Sequence, residues 1–284
     1  MRSALIIPTC NAGDLWEKVL IAIDEQRRQP NRKILLDSDS QDKTVALAKQ
    51  HGFEVHAVSQ ETFNPGLTRQ LGATLCPEAE VLIYMTQDAT PADPRAFQTL
   101  TDCFLTPQIA VAYGRHRPHP DACITEQFKR NYLYPDQSQI RTADEIPAFG
   151  LRTAFCSNSF AAWRKNALDE IGGFENTQFG EDMLATAKLI LAGQAIAYCA
   201  EAEVIHSHPA TLREAFQRGR QIGELHRHHP ELRTQFGSPE KTGDGYLRQG
   251  IRFLAQNAPL TTPLFLFQSA TKLLGFLSGK IDVF

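Results

Sequence analysis

The run Val81-Leu82-Ile83-Tyr84-Met85, closed abruptly by Thr86-Gln87-Asp88, constrains this chain more than any other stretch. An apolar run rich in β-branched and aromatic residues, ended by a polar triplet, predicts a buried strand. A carboxylate just past the C-terminal end of such a strand lies where open α/β sheets bind ligands. Asp88 is therefore a candidate to hold a cation against a phosphate. The competing reading makes it a cap for the helix whose body begins near Pro94.

The rest of the first half repeats the pattern. Leu5–Thr9, Lys33–Leu36, Glu54–Val58 and Ile109–Tyr113 read as strands. Helices are predicted after Asn11 and Asp14, at Asp42–Ala48, at Gly66–Leu75 and at Pro94–Phe104. Strands and helices alternating at this spacing mean parallel βαβ units in a doubly wound, mostly parallel sheet flanked by helices. Polar clusters stand at the ends of three strands, at Asn11, at Asp37 with Asp39, and at Asp88.

Past residue 115 the pattern loosens. Residues 115–150 carry four prolines and no clear period, which predicts a long surface excursion. Order returns with a strand at Ser159–Trp163 and helices at Lys165–Ile171 and Glu181–Leu191. Two short strands, Ala195–Tyr198 and Val204–His206, precede a basic helix at Leu212–His228. The chain divides on this reading into 1–115, 116–230 and a helical extension, 231–284.

Composition excludes several classes. A net charge of −3 gives no bulk attraction to nucleic acid. The six cysteines are scattered without a C-x-x-C pair, so neither a zinc site nor a disulfide framework is expected. No window holds eighteen apolar residues, and the N-terminal run is too short for a signal peptide, so a cytoplasmic protein is expected.

Taken together, these residues resemble glycosyltransferase family 2, inverting transferases of GT-A type fold. Ile7-Pro8-Thr9-Cys10-Asn11 is similar to that family's first strand and turn, and Asp37-Ser38-Asp39-Ser40 to its second-strand signature. Phe63-Asn64-Pro65-Gly66-Leu67-Thr68-Arg69, Tyr84–Ala89 and Val204-Ile205-His206-Ser207-His208 resemble the bacterial rhamnosyltransferases within it. Two positions depart from the pattern. Thr86-Gln87-Asp88 keeps only the last carboxylate of the common Asp-x-Asp, and Pro65 stands where the subgroup often has His.

The resemblance implies a sugar nucleotide as donor, dTDP-L-rhamnose in the subgroup, and a glycan or lipid-linked glycan as acceptor. It implies that Asp37 meets the base and Asp39 the ribose or phosphates, with Thr9, Asn11, Arg69, Gln87 and Asp88 as further donor contacts. A divalent cation, Mg²⁺ or Mn²⁺, would neutralise the leaving diphosphate. Asp88 would hold it, with His206 or His208 as a nitrogen ligand. Asp182, in Phe179-Gly180-Glu181-Asp182, is implied as the base that takes the acceptor proton, with Glu181 and Trp163 near the acceptor.

Plainer readings accompany each assignment. Asp37 and Asp39 suit an Asx-turn, Arg69 a solvated helix, the histidines a strand end, and Glu181-Asp182 the positive end of a helix dipole. Two other functions fit a nucleotide-binding sheet. A nucleotidyltransferase usually shows a Gly-rich basic run after strand one, which Pro8–Asp14 lacks. A non-catalytic sugar-nucleotide binder has no need of both Asp88 and Asp182. Lastly, Leu264–Phe284 carries an apolar stripe at helical spacing. It needs cover from the sheet domain, a second subunit or a membrane surface.

Overall fold

The computed structural model describes residues 1–208 and 211–281, with side chains omitted at 239–242. Nine strands form one sheet: β1 Ser3–Thr9, β2 Arg32–Asp37, β3 Glu54–Ala57, β4 Val81–Met85, β5 Thr90–Pro91, β6 Ile109–Arg117, β7 Gln139–Arg141, β8 Phe160–Arg164 and β9 Ala195–Ile205. Their order is β3-β2-β1-β4-β8-β6-β9-β5, with β7 paired to β9. The helices are α1 Trp16–Asp24, α2 Thr44–Gln50, α3 Pro65–Leu75, α4 Ala96–Asp102, α5 Ile124–Leu133 and α6 Ile146–Phe149. They continue with α7 Lys165–Glu170, α8 Glu181–Leu191, α9 Leu212–His228, α10 Pro230–Phe236, α11 Pro239–Asn257 and α12 Thr262–Lys280.

The expected βαβ units form β3-β2-β1-β4, whose pairings are all parallel. Beyond β4 the sheet turns antiparallel, through β4–β8, β6–β8, β5–β9 and β7–β9. The run that anchors the fold, β4, is buried along its whole length. Ile83 and Met85 of β4 pack in one cluster with Leu5, Ile7, Leu20, Phe97 and Phe160.

Two expectations change. Residues 115–150 are no loose excursion: β6 runs on to Arg117, α5 follows, and β7 joins the sheet. Likewise β9 is one strand, because Glu201 and Glu203 point outward while Ala202 and Val204 are buried. That alternation is a one-faced strand and not a break.

The chain forms two compact units, and their boundary differs from the sequence division. The first comprises 1–116, 136–143 and 154–206 and holds the sheet. Its extent follows from β8 and β9, which complete the sheet begun by β1–β4. The second comprises 117–135, 144–153 and residues from 207 onward.

Within the second unit α9 and α12 touch backbone to backbone. Gly219 and Gly223 on α9 face Gly275 and Gly279 on α12. A Cβ on Gly219 would stand 2.0 Å from the Lys272 carbonyl oxygen, and one on Gly275 would stand 2.1 Å from that of Phe216. Elsewhere in this unit Phe128, Leu254 and Phe265 form a small aromatic core with Tyr132 and Tyr246. The α9 contact covers one side of α12 only. Leu266, Phe267, Leu273, Leu274 and Leu277 remain exposed on the opposite side. Residues 282–284 of the expected tail lie outside the described residues.

Candidate functional site

Thr9 and Asp37 are partners in the β1–β2 register, so the first two polar clusters lie side by side. Asp37 is buried. Its Oδ1 accepts from the Thr9 and Ser40 hydroxyls, at 3.1 and 2.6 Å, and its Oδ2 from the Ser40 N–H at 3.0 Å. Asp37 thus closes a short side-chain-to-backbone turn with Ser40, three residues on. Asn11 and Asp39 have φ of 46° and 59°, the two non-glycine residues with left-handed backbone among those described. The Asn11 N–H donates to the Ser40 Oγ at 2.8 Å, and its Oδ1 accepts from the Gln41 N–H at 2.8 Å. Such strained positions cluster where a backbone is shaped for a ligand.

Gln87 bonds the turn after β1. Its amide accepts from the Cys10 N–H at 2.9 Å and donates to the Cys10 carbonyl at 3.2 Å. Both polar ends are thereby spent on locking the β1 turn against the end of β4. Next in the chain, Asp88 Oδ1 stands 3.4 Å from His206 Nε2, at the end of β9. Neither is fully exposed, at 27% and 11% of the side chain. An oxygen and a nitrogen donor converging in this way fit a divalent cation of the Mn²⁺ kind. His208 follows two residues later, in the second unit.

The acid pair opens α8. Gly180, at φ 78°, turns the chain into the helix, a conformation that any side chain would strain. Asp182 accepts from the Asn158 N–H at 3.1 Å and from its neighbour Met183 N–H at 2.8 Å. Burial, and then the negative charge of Glu181, push its carboxyl up to about 7. A carboxyl near 7 is half ionised at neutral pH and suited to general-base work.

Three of the expected site residues are engaged inside the protein. Glu181 is buried and its Oε1 lies 3.0 Å from Arg69 Nη1. Arg69, expected on the donor, is likewise buried, and also donates to the Pro65 carbonyl at 3.2 Å. Trp163 is wholly buried, edge-on to Phe174, and its Nε1 donates to Asn158 Oδ1 at 2.8 Å.

Asn158, absent from the sequence reading, joins these groups. Its side chain takes the Trp163 N–H and donates to Glu181 Oε1 at 3.2 Å, while its backbone N–H holds Asp182. The neighbouring Ser159 carbonyl accepts from the Thr86 N–H at 3.3 Å, which ties this network to the strand end that carries Asp88. The Phe63–Arg69 motif has a structural explanation too. Asn64 caps α3 by accepting from the Leu67 N–H, Pro65 fills the first turn, and a Cβ on Gly66 would stand 1.8 Å from the Glu175 carbonyl oxygen.

The chain belongs to glycosyltransferase family 2: the sequence model described as "Glycosyltransferase like family 2" matches residues 2–223. It is a glycosyltransferase of GT-A fold, moving a sugar from a nucleotide donor to a glycan acceptor.

Relatives extend over nearly the whole chain. The O-antigen chain rhamnosyltransferase RfbN of Salmonella typhimurium is 41% identical over 99% of this chain and 90% of its own length. The O-antigen chain rhamnosyltransferase WbaN of Salmonella anatum is 36% identical over 97% and 88%. Among solved structures, the mannosyltransferase PcManGT of Pyrobaculum calidifontis, in complex with GDP-Man and Mn²⁺, shares the fold at a TM-score of 0.67 and 17% identity. That match covers 100% of this chain and 88% of that one. Glucosyl-3-phosphoglycerate synthase of Mycobacterium tuberculosis, solved with Mn²⁺ and uridine diphosphate, matches at 0.56 and 17%, covering 83% and 80%. Family membership sets aside both the nucleotidyltransferase and the non-catalytic binder.

Proposed function

We propose that this enzyme transfers L-rhamnose from dTDP-L-rhamnose, with inversion, to a hydroxyl of a lipid-linked glycan of the O-antigen type. The observation that carries the choice of sugar is the identity to two O-antigen chain rhamnosyltransferases along almost the whole chain.

Asp182 is the base. The acceptor hydroxyl attacks the anomeric carbon from the face opposite the leaving group. Its oxygen forms the new glycosidic bond while the bond from that carbon to the phosphate oxygen breaks. The hydroxyl proton passes to the Asp182 carboxylate, and the nucleoside diphosphate leaves with the electron pair. Support comes from the raised proton affinity of Asp182 and from the two N–H groups that fix its orientation. Arg69, through Glu181 and Asn158, acts as a positioning residue for this carboxyl.

Asp88 and His206 would hold the divalent cation, which when bound supplies positive charge to the departing diphosphate. Thr9, Asn11, Asp37 and Asp39 frame the nucleotide side, Asn11 and Asp39 through their left-handed turns. The enzyme works at the cytoplasmic face of the membrane, where its acceptor is held, with the exposed apolar side of α12 against the lipid. In support, residues 212–281 carry ten basic and five acidic side chains although the whole chain is net negative. No helix among the described residues is long and apolar enough to cross a bilayer.

The test is turnover with a panel of dTDP-, UDP- and GDP-sugars, with and without Mn²⁺, followed by the anomeric configuration of the product. Transfer from dTDP-L-rhamnose with inversion is expected. Preference for another donor, or retention, overturns the reading.

A further inference from the structure

Behind Asp88 and His206 stands a third group that neither the sequence nor the chemistry above has used. His116, near the end of β6, is 1% exposed. Its Nδ1 lies 3.3 Å from the Nδ1 of His206, with the rings edge-on, centroids 5.2 Å apart and planes at 77°. Gly114 brings the two strands this close. A Cβ there would stand 2.3 Å from the Ala202 carbonyl oxygen of β9. His206 thus turns one ring nitrogen to Asp88 and the other to His116.

Two imidazole nitrogens at that distance share one hydrogen, so one ring donates and the other accepts. A neutral imidazole carries its hydrogen on one nitrogen, and only the bare nitrogen has a lone pair for a cation. His206 can therefore offer Nε2 as a ligand only when its hydrogen sits on Nδ1. That hydrogen then needs an acceptor, and His116 Nδ1, 3.3 Å away, serves as one when its own hydrogen is on Nε2. In the opposite arrangement His116 donates. The hydrogen of His206 then moves to Nε2, faces Asp88, and closes the site to a cation.

We infer that His116 is a positioning residue that selects the tautomer of His206 able to bind a cation. The inference rests on the proposed cation role of Asp88 and His206. It also accounts for an imidazole where a carboxylate commonly orients a metal-binding histidine. A neutral acceptor fixes the ring without adding negative charge beside a diphosphate.

The experiment measures Mn²⁺ binding to the whole protein by calorimetry, in wild type, His206→Ala, His116→Phe and His116→Gln. Wild type should bind, and His206→Ala should bind more weakly. His116→Phe keeps the ring volume but removes the acceptor, so affinity should fall roughly 10- to 100-fold. His116→Gln should recover most of that loss, because its amide oxygen accepts from Nδ1–H. Equal binding by His116→Phe and wild type overturns the inference alone, and so does equal weakening by both substitutions, which would mean packing. No Mn²⁺ binding by wild type overturns the cation reading and this inference with it. Should the variants fail to fold, long-range ¹H–¹⁵N spectra of metal-free wild type decide. Hydrogen on Nδ1 of His206 supports the inference, and hydrogen on Nε2 refutes it.

Discussion

Replacing Asp182 by Asn should make the protein less active and, above neutral pH, more stable. The carboxyl is displaced from an ordinary 3.8 to about 7. Its proton is held more tightly in the fold than in the unfolded chain, so stability falls as pH rises between about 4 and about 7. Each tenfold in proton affinity is worth about 1.4 kcal/mol, which bounds the loss at roughly 4 kcal/mol. Asn does not titrate. It also cannot accept both N–H groups that the carboxylate takes from Asn158 and Met183. Setting its NH₂ against one of them costs about 1–3 kcal/mol at every pH. The stability curves should therefore cross, with wild type ahead near pH 4 and Asp182→Asn ahead near pH 8. Urea unfolding of both proteins across that range measures the difference, and the other carboxylates cancel. In parallel, kcat should fall by about 10²–10⁴-fold with donor affinity kept, and wild-type kcat should rise with pH through about 7. Parallel stability curves would refute the displaced carboxyl, and near-normal transfer by the variant would remove Asp182 from the mechanism.

Four further outcomes are expected. Asp88→Asn should weaken dTDP binding in the presence of Mn²⁺ far more than thymidine binding, and equal losses in titrations of both ligands would mark a structural cap. Arg69→Ala leaves Glu181 buried without its cation, so urea unfolding should show a loss of about 3–5 kcal/mol. Gly219→Ala drives a methyl group into the Lys272 carbonyl and should cost about 1–3 kcal/mol, read as a lower Tm. Joint replacement of Leu273 and Leu277 by Glu should abolish sedimentation with anionic vesicles while sparing transfer to a short soluble acceptor, because both leucines are exposed.

The parallel half of the sheet was legible because three of its four strands end in a polar cluster and strands alternate with 3.6-period helices. Asp37, Asp39 and Asp88 stood out for the same reason, whereas Asp182, at a helix start, was pointed to by the family resemblance alone. What the sequence hid was engagement: whether Glu181 faces an acceptor or Arg69 depends on contacts between residues far apart in the chain. Asn158 was missed through an assumption about direction. Ligand positions were sought at the C-terminal ends of strands, but β8 runs antiparallel to β4, so the residues before it arrive at that same edge. The polar triplet Ser157-Asn158-Ser159 was the available signal. Trp163 shows the same gap, because an aromatic near a glycan site and an aromatic under a sheet look alike without burial.

The glycine seam between α9 and α12 bears on how the protein is made. A ribosome finishes α9 at His228 well before it begins α12 at Thr262. During that interval the surface shaped by Gly219 and Gly223 has no partner, and its backbone is open to any helix that can come as close. Biosynthesis thus leaves a sticky half-zipper that only the last helix closes.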